Sequence, residues 1–448
     1  MNHYLRAALF PLGAVLLVVL ASLAPTSGDE GPRPPEDVDV TQSSYACPAG
    51  SVITVASGQV TAGTDATASV LPGLTPDETL SDASSWRTAV VDGPGVIVSQ
   101  SGRASGAVGY FAGTAPRSGG GGLVVGSCSG IVDDAWLLGL GSGGKHFSTL
   151  ILTNLGDSTA TVDLSLWGPD GRIDAVNADG IVIEPGAVSR IRLDSLAAGE
   201  PEIAIHVERR RGSVSAVVND TSTATYRGTE PISATLSPRR EQVVGGLVRG
   251  AAGRTLLLLN PGDDTARVDV EVIGDENTFT PSGLEQVQVK AGTVRAVTIP
   301  RSAGASEQAL RVSSDQPVSA TVRMTPTTDD YAYAEAVAPL TGPTVVPIDV
   351  GQRLAVPRLV LTAPTDDARV EVLAYAADMS PLGSTTVDVA GGTTTSVRPD
   401  AEGAAYLVLK PAGEVVAAAT YEKGDGISSL ALTDAPLTVL GPQVRPAG

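Results

Sequence analysis

The chain has 448 residues, 42% of them hydrophobic but only 4% aromatic, with 51 Gly and 31 Pro. This length allows two to four domains that each bury a core, and the abundance of Val, Thr, Gly and Pro is typical of β-strands joined by turns. The formal net charge of −19 repels phosphate backbones and anionic lipid surfaces, which excludes nucleic acid as a partner.

The N-terminus carries an uncharged hydrophobic stretch over residues 7–24, with Arg6 before it and several acidic residues after it. This charge asymmetry directs the rest of the chain across the membrane. We predict that residues 1–24 are a signal anchor, a single hydrophobic helix, or a cleaved signal peptide; Pro25 after the small residues of the cleavage motif favours the anchor. The protein is therefore expected in the cell membrane as a single-pass protein with extracytoplasmic domains, or secreted if the segment is cut.

Residues 25–44 are rich in Pro and acidic residues and predict an extended spacer. Cys47 and Cys128 are the only two cysteines. An even pair in an exported protein is expected to form a disulfide, which contributes roughly 4–5 kcal/mol in the chain-entropy model. Reactive thiols and metal ligation are the weaker alternatives.

A repeat dominates the remainder of the chain. Thr149-Leu-Ile-Leu-Thr-Asn154 returns as Thr255-Leu-Leu-Leu-Leu-Asn260 and again near Leu359-Val-Leu-Thr-Ala363. Each copy continues through a turn containing Asp into a strand that alternates apolar and polar residues, which predicts a β-hairpin. Self-similarity at this spacing indicates tandem domains.

We therefore predict an all-β protein made of tandem immunoglobulin-like β-sandwiches behind one N-terminal hydrophobic helix. A degenerate first sandwich spans 45–130, and three further copies span 131–240, 241–345 and 346–448. Because the linkers are short, we expect an elongated string of domains.

Few sequence motifs in this chain indicate catalysis or the binding of a cofactor or metal. Gly139-Leu-Gly-Ser-Gly-Gly144-Lys145-His146 imitates a phosphate-binding loop, but a strand follows it where a helix is needed, which favours a turn between strands. The only histidines are His3, His146 and His206, which argues against a hydrolase triad or a zinc site. Acidic pairs such as Asp263-Asp264 fall in hairpin turns, where local bonding to the backbone is the simpler interpretation than calcium. We expect no metal, cofactor or catalytic residue.

Aromatic residues are the remaining candidates for ligand contact. Trp86 and Trp136 have no clear counterparts in the other copies and are our candidate ligand-contact residues, together with tyrosines such as Tyr331 and Tyr333 if exposed. Trp167 corresponds to Ile273 and Tyr375 in the other copies, and this predicts a packing position.

Several of these features occur together in one known group. The N-terminal anchor, the Cys47-Pro48 opening, Cys128, and Trp136-Leu-Leu-Gly139 leading into Ser148-Thr-Leu-Ile-Leu-Thr-Asn154 give a chain that resembles the actinobacterial domain-of-unknown-function 5719 family. The motif of Asn followed by Pro is kept at Asn260-Pro261 but not at Asn154-Leu155. The resemblance implies an exported envelope protein and carries over no catalytic residue.

Three functions are compatible with these residues. The leading hypothesis is a non-enzymatic, membrane-anchored scaffold or interaction protein that binds an envelope protein complex. The second is binding of a cell-wall polysaccharide or other glycan through Trp86, Trp136 or exposed tyrosines. The third is hydrolysis by two carboxylates that meet about 5–9 Å apart in a cleft.

Overall fold

The computed structural model describes residues 37–48, 53–58, 65–70, 78–79, 87–91, 95–101, 106, 108–115, 121–224, 226–250, 253–304, 306–325, 330–348, 350 and 354–440. Their regular structure is β-strand apart from two short 3₁₀ turns, Leu193–Ser195 and Arg301–Ala303, so the all-β prediction is confirmed for this part of the chain. No helix within it has the length and apolar character to cross a membrane. The predicted anchor over residues 1–24 lies outside the described residues.

The strands are numbered along the chain. The first part of the chain contains β1 (Asp37–Asp39), β2 (Gln42–Pro48), β3 (Ile53–Gly58), β4 (Asp65–Val70), β5 (Glu78–Thr79), β6 (Arg87–Val91), β7 (Gly95–Ser101), β8 (Val108–Thr114) and β9 (Leu123–Ser127). The second contains β10 (Asp134–Leu140), β11 (His146–Asn154), β12 (Ala160–Gly168), β13 (Gly171–Ile173), β14 (Ile181–Ile183), β15 (Val188–Arg192), β16 (Ile203–Arg211), β17 (Val214–Thr223) and β18 (Arg227–Ile232). The third contains β19 (Arg239–Leu247), β20 (Gly253–Asn260), β21 (Ala266–Ile273), β22 (Thr278–Phe279), β23 (Val287–Val289), β24 (Thr293–Thr298), β25 (Gln308–Thr325) and β26 (Ala332–Glu335). The last contains β27 (Thr344–Pro347), β28 (Arg358–Ala363), β29 (Ala368–Tyr375), β30 (Pro381–Val389), β31 (Thr393–Val397), β32 (Tyr406–Ala412), β33 (Val416–Lys423), β34 (Gly426–Ala431) and β35 (Thr438–Leu440).

Two of these strands begin inside the segment 25–44 that was predicted as a spacer. β1 pairs with β35, and β2 belongs to the first large sheet. The spacer prediction is therefore wrong for its last residues, because their backbone groups are taken up in ladders.

Strands β2 to β34 form four pairs of antiparallel sheets, which we call sandwiches 1 to 4 (residues 42–127, 134–232, 239–335 and 344–431). Each has seven main strands, a to g in chain order. One sheet has the order a-e-c and the other d-b-f-g, as in β10-β16-β12 with β15-β11-β17-β18. In sandwich 3 the long strand β25 serves as both e and f. This order differs from that of a constant-type immunoglobulin domain, whose strands A, B, E and D form one sheet and C, F and G the other.

Alternation of side chains explains the cores. In β12 the residues Val162, Leu164 and Leu166 are buried, and they meet Leu150 and Leu152 of the facing sheet. The residues between them are more exposed, as expected for strands with one buried face.

A buried asparagine fixes the hairpin between strands b and c in two sandwiches. The Asn154 Nδ2 group donates to the carbonyls of Ser158 (2.8 Å) and Ile183 (2.9 Å), and Oδ1 accepts the N–H of Gly156 (2.9 Å). Asn260 makes the same set of bonds in sandwich 3, to Asp264, Val289 and Gly262. In the fourth copy this position is Ala363. The recurrence of this asparagine in the sequence therefore reflects a local turn.

The predicted disulfide between Cys47 and Cys128 is present. It ties strand a of sandwich 1 to the segment that follows strand g, where Ala46 and Ser129 also form a β-bridge. The cross-link therefore holds together the two strands at one open edge of this sandwich.

The four sandwiches pack in a closed ring. In each, the edge between strands a and g is covered by the b-f-g sheet of the next sandwich. Sandwich 1 contacts sandwich 2 through the N–H of Thr229, which donates to the carbonyl of Gly121 (3.0 Å). Sandwich 2 contacts sandwich 3 where Trp136 and Trp167 pack on Leu259 and Val294.

The same packing continues to the end of the chain. Sandwich 3 contacts sandwich 4 through Ser429 Oγ, which donates to the carbonyl of Gly246 (3.0 Å). Sandwich 4 returns to sandwich 1, since Tyr110 OH donates to the carbonyl of Val345 (2.5 Å). Residues Val40–Leu437 form one compact unit, and the pair β1–β35 belongs to another. The expectation of an elongated string is therefore wrong, because apolar outer faces of the sheets are buried between neighbours.

Candidate functional site

The last strands of the four sandwiches meet at the centre of the ring. β9 contacts β18, β18 contacts β26, β26 contacts β34, and β34 returns to β9. We call their common line the axis. Described residues at the ends of the four f–g connections lie beside it and line a pocket of about 910 Å³, the axial pocket. It is lined by Thr114, Ala115, Gly121, Gly122, Leu123, Thr223, Arg227, Asp330, Lys423, Asp425 and Gly426.

Asp330 joins three sandwiches at the floor of this pocket. Its Oδ2 accepts the N–H of Leu123 in sandwich 1 (3.0 Å) and of Ile427 in sandwich 4 (2.8 Å). Its Oδ1 accepts the N–H of Tyr331, next to it in the chain (2.9 Å). With 1% of its surface exposed, Asp330 is a fastening point of the ring.

Two glycines make room for this carboxylate. A Cβ at Gly122 would lie 2.4 Å from Asp330 Oδ1, and a Cβ at Gly228 of sandwich 2 would lie 2.6 Å from the same atom. Gly122 also has a φ of +106°, a conformation that favours glycine. All four sandwiches therefore contribute groups around Asp330.

The electrostatics of the pocket are mixed. Burial raises the pKa of Asp330 to about 6, although its backbone hydrogen bonds oppose this shift. Arg227, Lys423 and Asp425 lie at the exposed mouth. Among the described lining residues there is no aromatic ring, histidine or cysteine. The pocket thus offers charges of both signs, hydroxyls and backbone groups to a polar ligand.

A second polar cluster surrounds Asp220, which is fully buried between sandwiches 2 and 3. His146 Nε2 lies 3.1 Å from both carboxylate oxygens. Ser148 Oγ donates to Oδ1, and the hydroxyls of Tyr331 (2.9 Å) and Tyr333 (3.1 Å) donate to Oδ2. Burial disfavours the charged form of His146, but the attraction of Asp220 and the hydrogen bond to it outweigh burial and raise the pKa of His146.

This cluster does not have the geometry of a nucleophilic triad. Ser148 Oγ donates to Asp220 and accepts the N–H of Gly141 (2.9 Å), so His146 is not its base. The two tyrosines come from strand g of sandwich 3 and its approach, and they fill the open edge of sandwich 2. The arrangement holds two sandwiches together.

Of the sequence-predicted contact residues, the described ones, Trp136, Tyr331 and Tyr333, do not line the axial pocket. Trp136 is 9% exposed and stacks on His206 and Trp167, with ring centroids 4.0 and 5.6 Å away. Tyr331 and Tyr333 are buried as well, so they do not meet the condition of exposure under which they were candidates. Ring closure buries the sheet faces on which these side chains lie. Trp86 lies outside the described residues.

Other predicted positions have structural roles. Trp167 is a packing position, as predicted, and Ile273 has the same role against Val416 of sandwich 4. Within the described ranges no group of three or more His, Cys, Asp or Glu residues could hold a metal ion. The motif at 139–146 joins β10 to β11 as a turn.

Sequence reasoning missed Asp330, Asp220 and Glu230. One signal was available: Asp220 continues the inward-facing series Val214, Ala216 and Val218, so a charged residue stands at a core position of an alternating strand. Asp330 gave no such signal, because its partners come from distant sandwiches.

Comparison with protein families finds that residues 80–400 match the model of a family of unknown function (DUF5719). The comparisons with curated proteins and with solved structures find no match.

Proposed function

The chain belongs to the family of unknown function (DUF5719), and from this premise we propose that it is a non-enzymatic binding protein of the cell envelope. Four tandem β-sandwiches form one ring, and the axial pocket is the binding site. The partner is an envelope protein complex that inserts a polar segment there. The protein is held on the outer side of the membrane by residues 1–24, or is secreted if they are cleaved.

The observation that carries this proposal is that described residues from the f–g regions of all four sandwiches line one pocket of about 910 Å³. Loops presented by a rigid sheet scaffold are common binding elements. The described lining residues at the mouth, including Thr223, Arg227 and Lys423, are exposed. A ligand at the axis would thus contact all four sandwiches at once. Sandwiches that did not form a ring would not provide such a site.

The buried acids support a role without catalysis. The carboxylate of Asp330 accepts hydrogen bonds from three backbone N–H groups, and that of Asp220 accepts hydrogen bonds from four side chains. A general acid or base must reach a substrate proton, and these groups are committed to the protein itself. Export is supported by the uncharged stretch at 7–24 and by the disulfide.

Photo-crosslinking in living cells tests the proposal. A p-benzoylphenylalanine at Thr223, at the pocket mouth, is compared with one at Asp263, exposed on a b–c hairpin at the opposite end of its sandwich. We expect one envelope protein complex to be captured from position 223 only, and less of it when Arg227 and Lys423 are both changed to Glu. Equal capture from both positions, or none from 223, would contradict the proposal.

Wall polysaccharide captured from position 223 would instead favour the glycan-binding alternative. That alternative has lost its aromatic support among the described residues, since Trp136, Tyr331 and Tyr333 are buried.

A further inference from the structure

Glu230 lies on β18 just inside the axis. Only 1% of its surface is exposed. Its Oε1 is 2.7 Å from Ser428 Oγ of sandwich 4, and its Oε2 is buried and has no hydrogen-bond partner in the described part of the chain. An ionised carboxylate with an unpartnered buried oxygen is costly, so this geometry favours the neutral acid.

A count of protons leads to the same state. Ser428 Oγ has a single hydrogen, and it lies near two groups, Glu230 Oε1 (2.7 Å) and the carbonyl of Val125 in sandwich 1 (3.3 Å). A carbonyl can only accept, so Ser428 must donate to Val125 if that bond is to form. The hydrogen between Glu230 and Ser428 must then come from Glu230, which requires a protonated carboxyl group.

The charges around Glu230 are acidic. Asp220 faces it directly across the β17–β18 pair, and His146 is hydrogen-bonded to that carboxylate. Asp330 and Glu335 approach from β26 and the residues before it. On β34 the partner is the neutral Ser428, and on β9 it is a carbonyl group. Burial, followed by the charge of Asp330, raises the pKa of Glu230 well above its usual value.

We propose that Glu230 is a proton-operated latch of the ring. In its protonated form it bonds sandwich 2 to sandwich 4 through Ser428, and Ser428 in turn bonds to sandwich 1. When the proton passes to water, a buried charge appears among three other acids. The contacts among β9, β18, β26 and β34 then loosen, and the floor of the axial pocket opens. The consequence for ligand access rests on the proposed function, whereas the latch itself does not.

Hydrogen exchange of the full chain, read by mass spectrometry without any ligand, tests the latch. After correction for the intrinsic rate, we expect the protection of β9, β18, β26 and β34 to fall roughly tenfold or more between about pH 6 and about pH 9. Glu230→Gln is neutral at every pH and can still donate to Ser428, so it should lose clearly less protection than the wild type, and the loss that remains comes from Glu335, whose pKa burial raises to about 7. The matched control Glu276→Gln changes an exposed glutamate of sandwich 3 and should respond as the wild type does.

A second variant tests the bond itself. Ser428→Ala removes the link without changing the charge, and the axis strands should then exchange faster already at about pH 6. The proposal is overturned if Glu230→Gln loses protection as the wild type does, if the wild type loses none, or if Glu230→Gln fails to fold by near-ultraviolet circular dichroism. Because no ligand is present, failure of the crosslinking experiment leaves this result standing.

Discussion

The effect of a buried acid at the axis on the free energy of unfolding can be tested by replacing Glu335 with Gln, which has nearly the same shape. Glu335 lies on β26, is 5% exposed, and its Oε1 accepts the N–H of Ser233, the residue that follows sandwich 2 (3.3 Å). Burial raises its pKa to about 7 from the usual 4.5, with the N–H groups of Ser233 and of Glu335 itself acting in the opposite direction. Glu335→Gln keeps the oxygen acceptor and removes the titration.

The sign and size follow from linkage. Because the folded pKa is raised, the stabilisation by the proton is fully present below about pH 4.5 and is lost as the pH rises through about 7. The difference between these two pKa values corresponds to about 3 kcal/mol. The free energy of unfolding of Glu335→Gln relative to wild type should therefore rise by about 3 kcal/mol between pH 4.5 and pH 8.

Urea unfolding of the full chain at these two pH values gives the quantity directly. Glu276→Gln is the matched control, since it changes an exposed glutamate of the same sandwich, and its difference from wild type should not depend on pH. A change below about 1 kcal/mol for Glu335→Gln, or an equal change for Glu276→Gln, would refute the reasoning.

Three further changes test the fastenings of the ring and its sandwiches, each by denaturant unfolding. Asp330→Ala leaves the buried N–H groups of Leu123 and Ile427 unpaired and should destabilise the protein by about 3–5 kcal/mol; a loss below about 1 kcal/mol would rule out its role as a fastening point. Asn260→Ala should cost about 1–3 kcal/mol because it opens the b–c hairpin of sandwich 3, and an unchanged stability would show that the hairpin forms without it. Replacing Cys47 and Cys128 together by Ser should cost about 4 kcal/mol, whereas a reduced wild type of equal stability to the oxidised form would contradict this estimate.

The all-β fold class could be predicted from the alternation of apolar and polar residues and from the turn residues between the strands. The recurring segment ending at Asn154 and Asn260 lies in strand b of two sandwiches, and its asparagine fixes the same hairpin in both. The disulfide followed from the count of cysteines in a chain that looked exported. Both predictions depend only on local sequence patterns or on a count of residues, and a single sequence is enough for these.

The ring of sandwiches could not be predicted from the sequence, because its contacts join residues that are far apart in the chain. Asp330 bonds to Leu123 and Ile427, which belong to the first and last sandwiches. The strand patterns of each copy describe one buried face, while Trp136 and Trp167 bury the other face against sandwich 3. In the sequence, an aromatic side chain on the outer face of a sheet is compatible with a ligand contact and with a contact between domains. In the structure, Trp136 and Trp167 contact the neighbouring sandwich.

Closure between the first and last sandwiches is tested most directly by a disulfide across that contact. A Cβ at Gly426 would lie 2.8 Å from the Cβ of Leu123, so a small shift brings the two positions into disulfide range. In the full chain with Leu123→Cys and Gly426→Cys, the ring predicts an intramolecular 123–426 disulfide under mild oxidation, and none when Leu123→Cys is paired with Asp263→Cys. Only intermolecular products, or no 123–426 bond, would mean that sandwiches 1 and 4 do not meet.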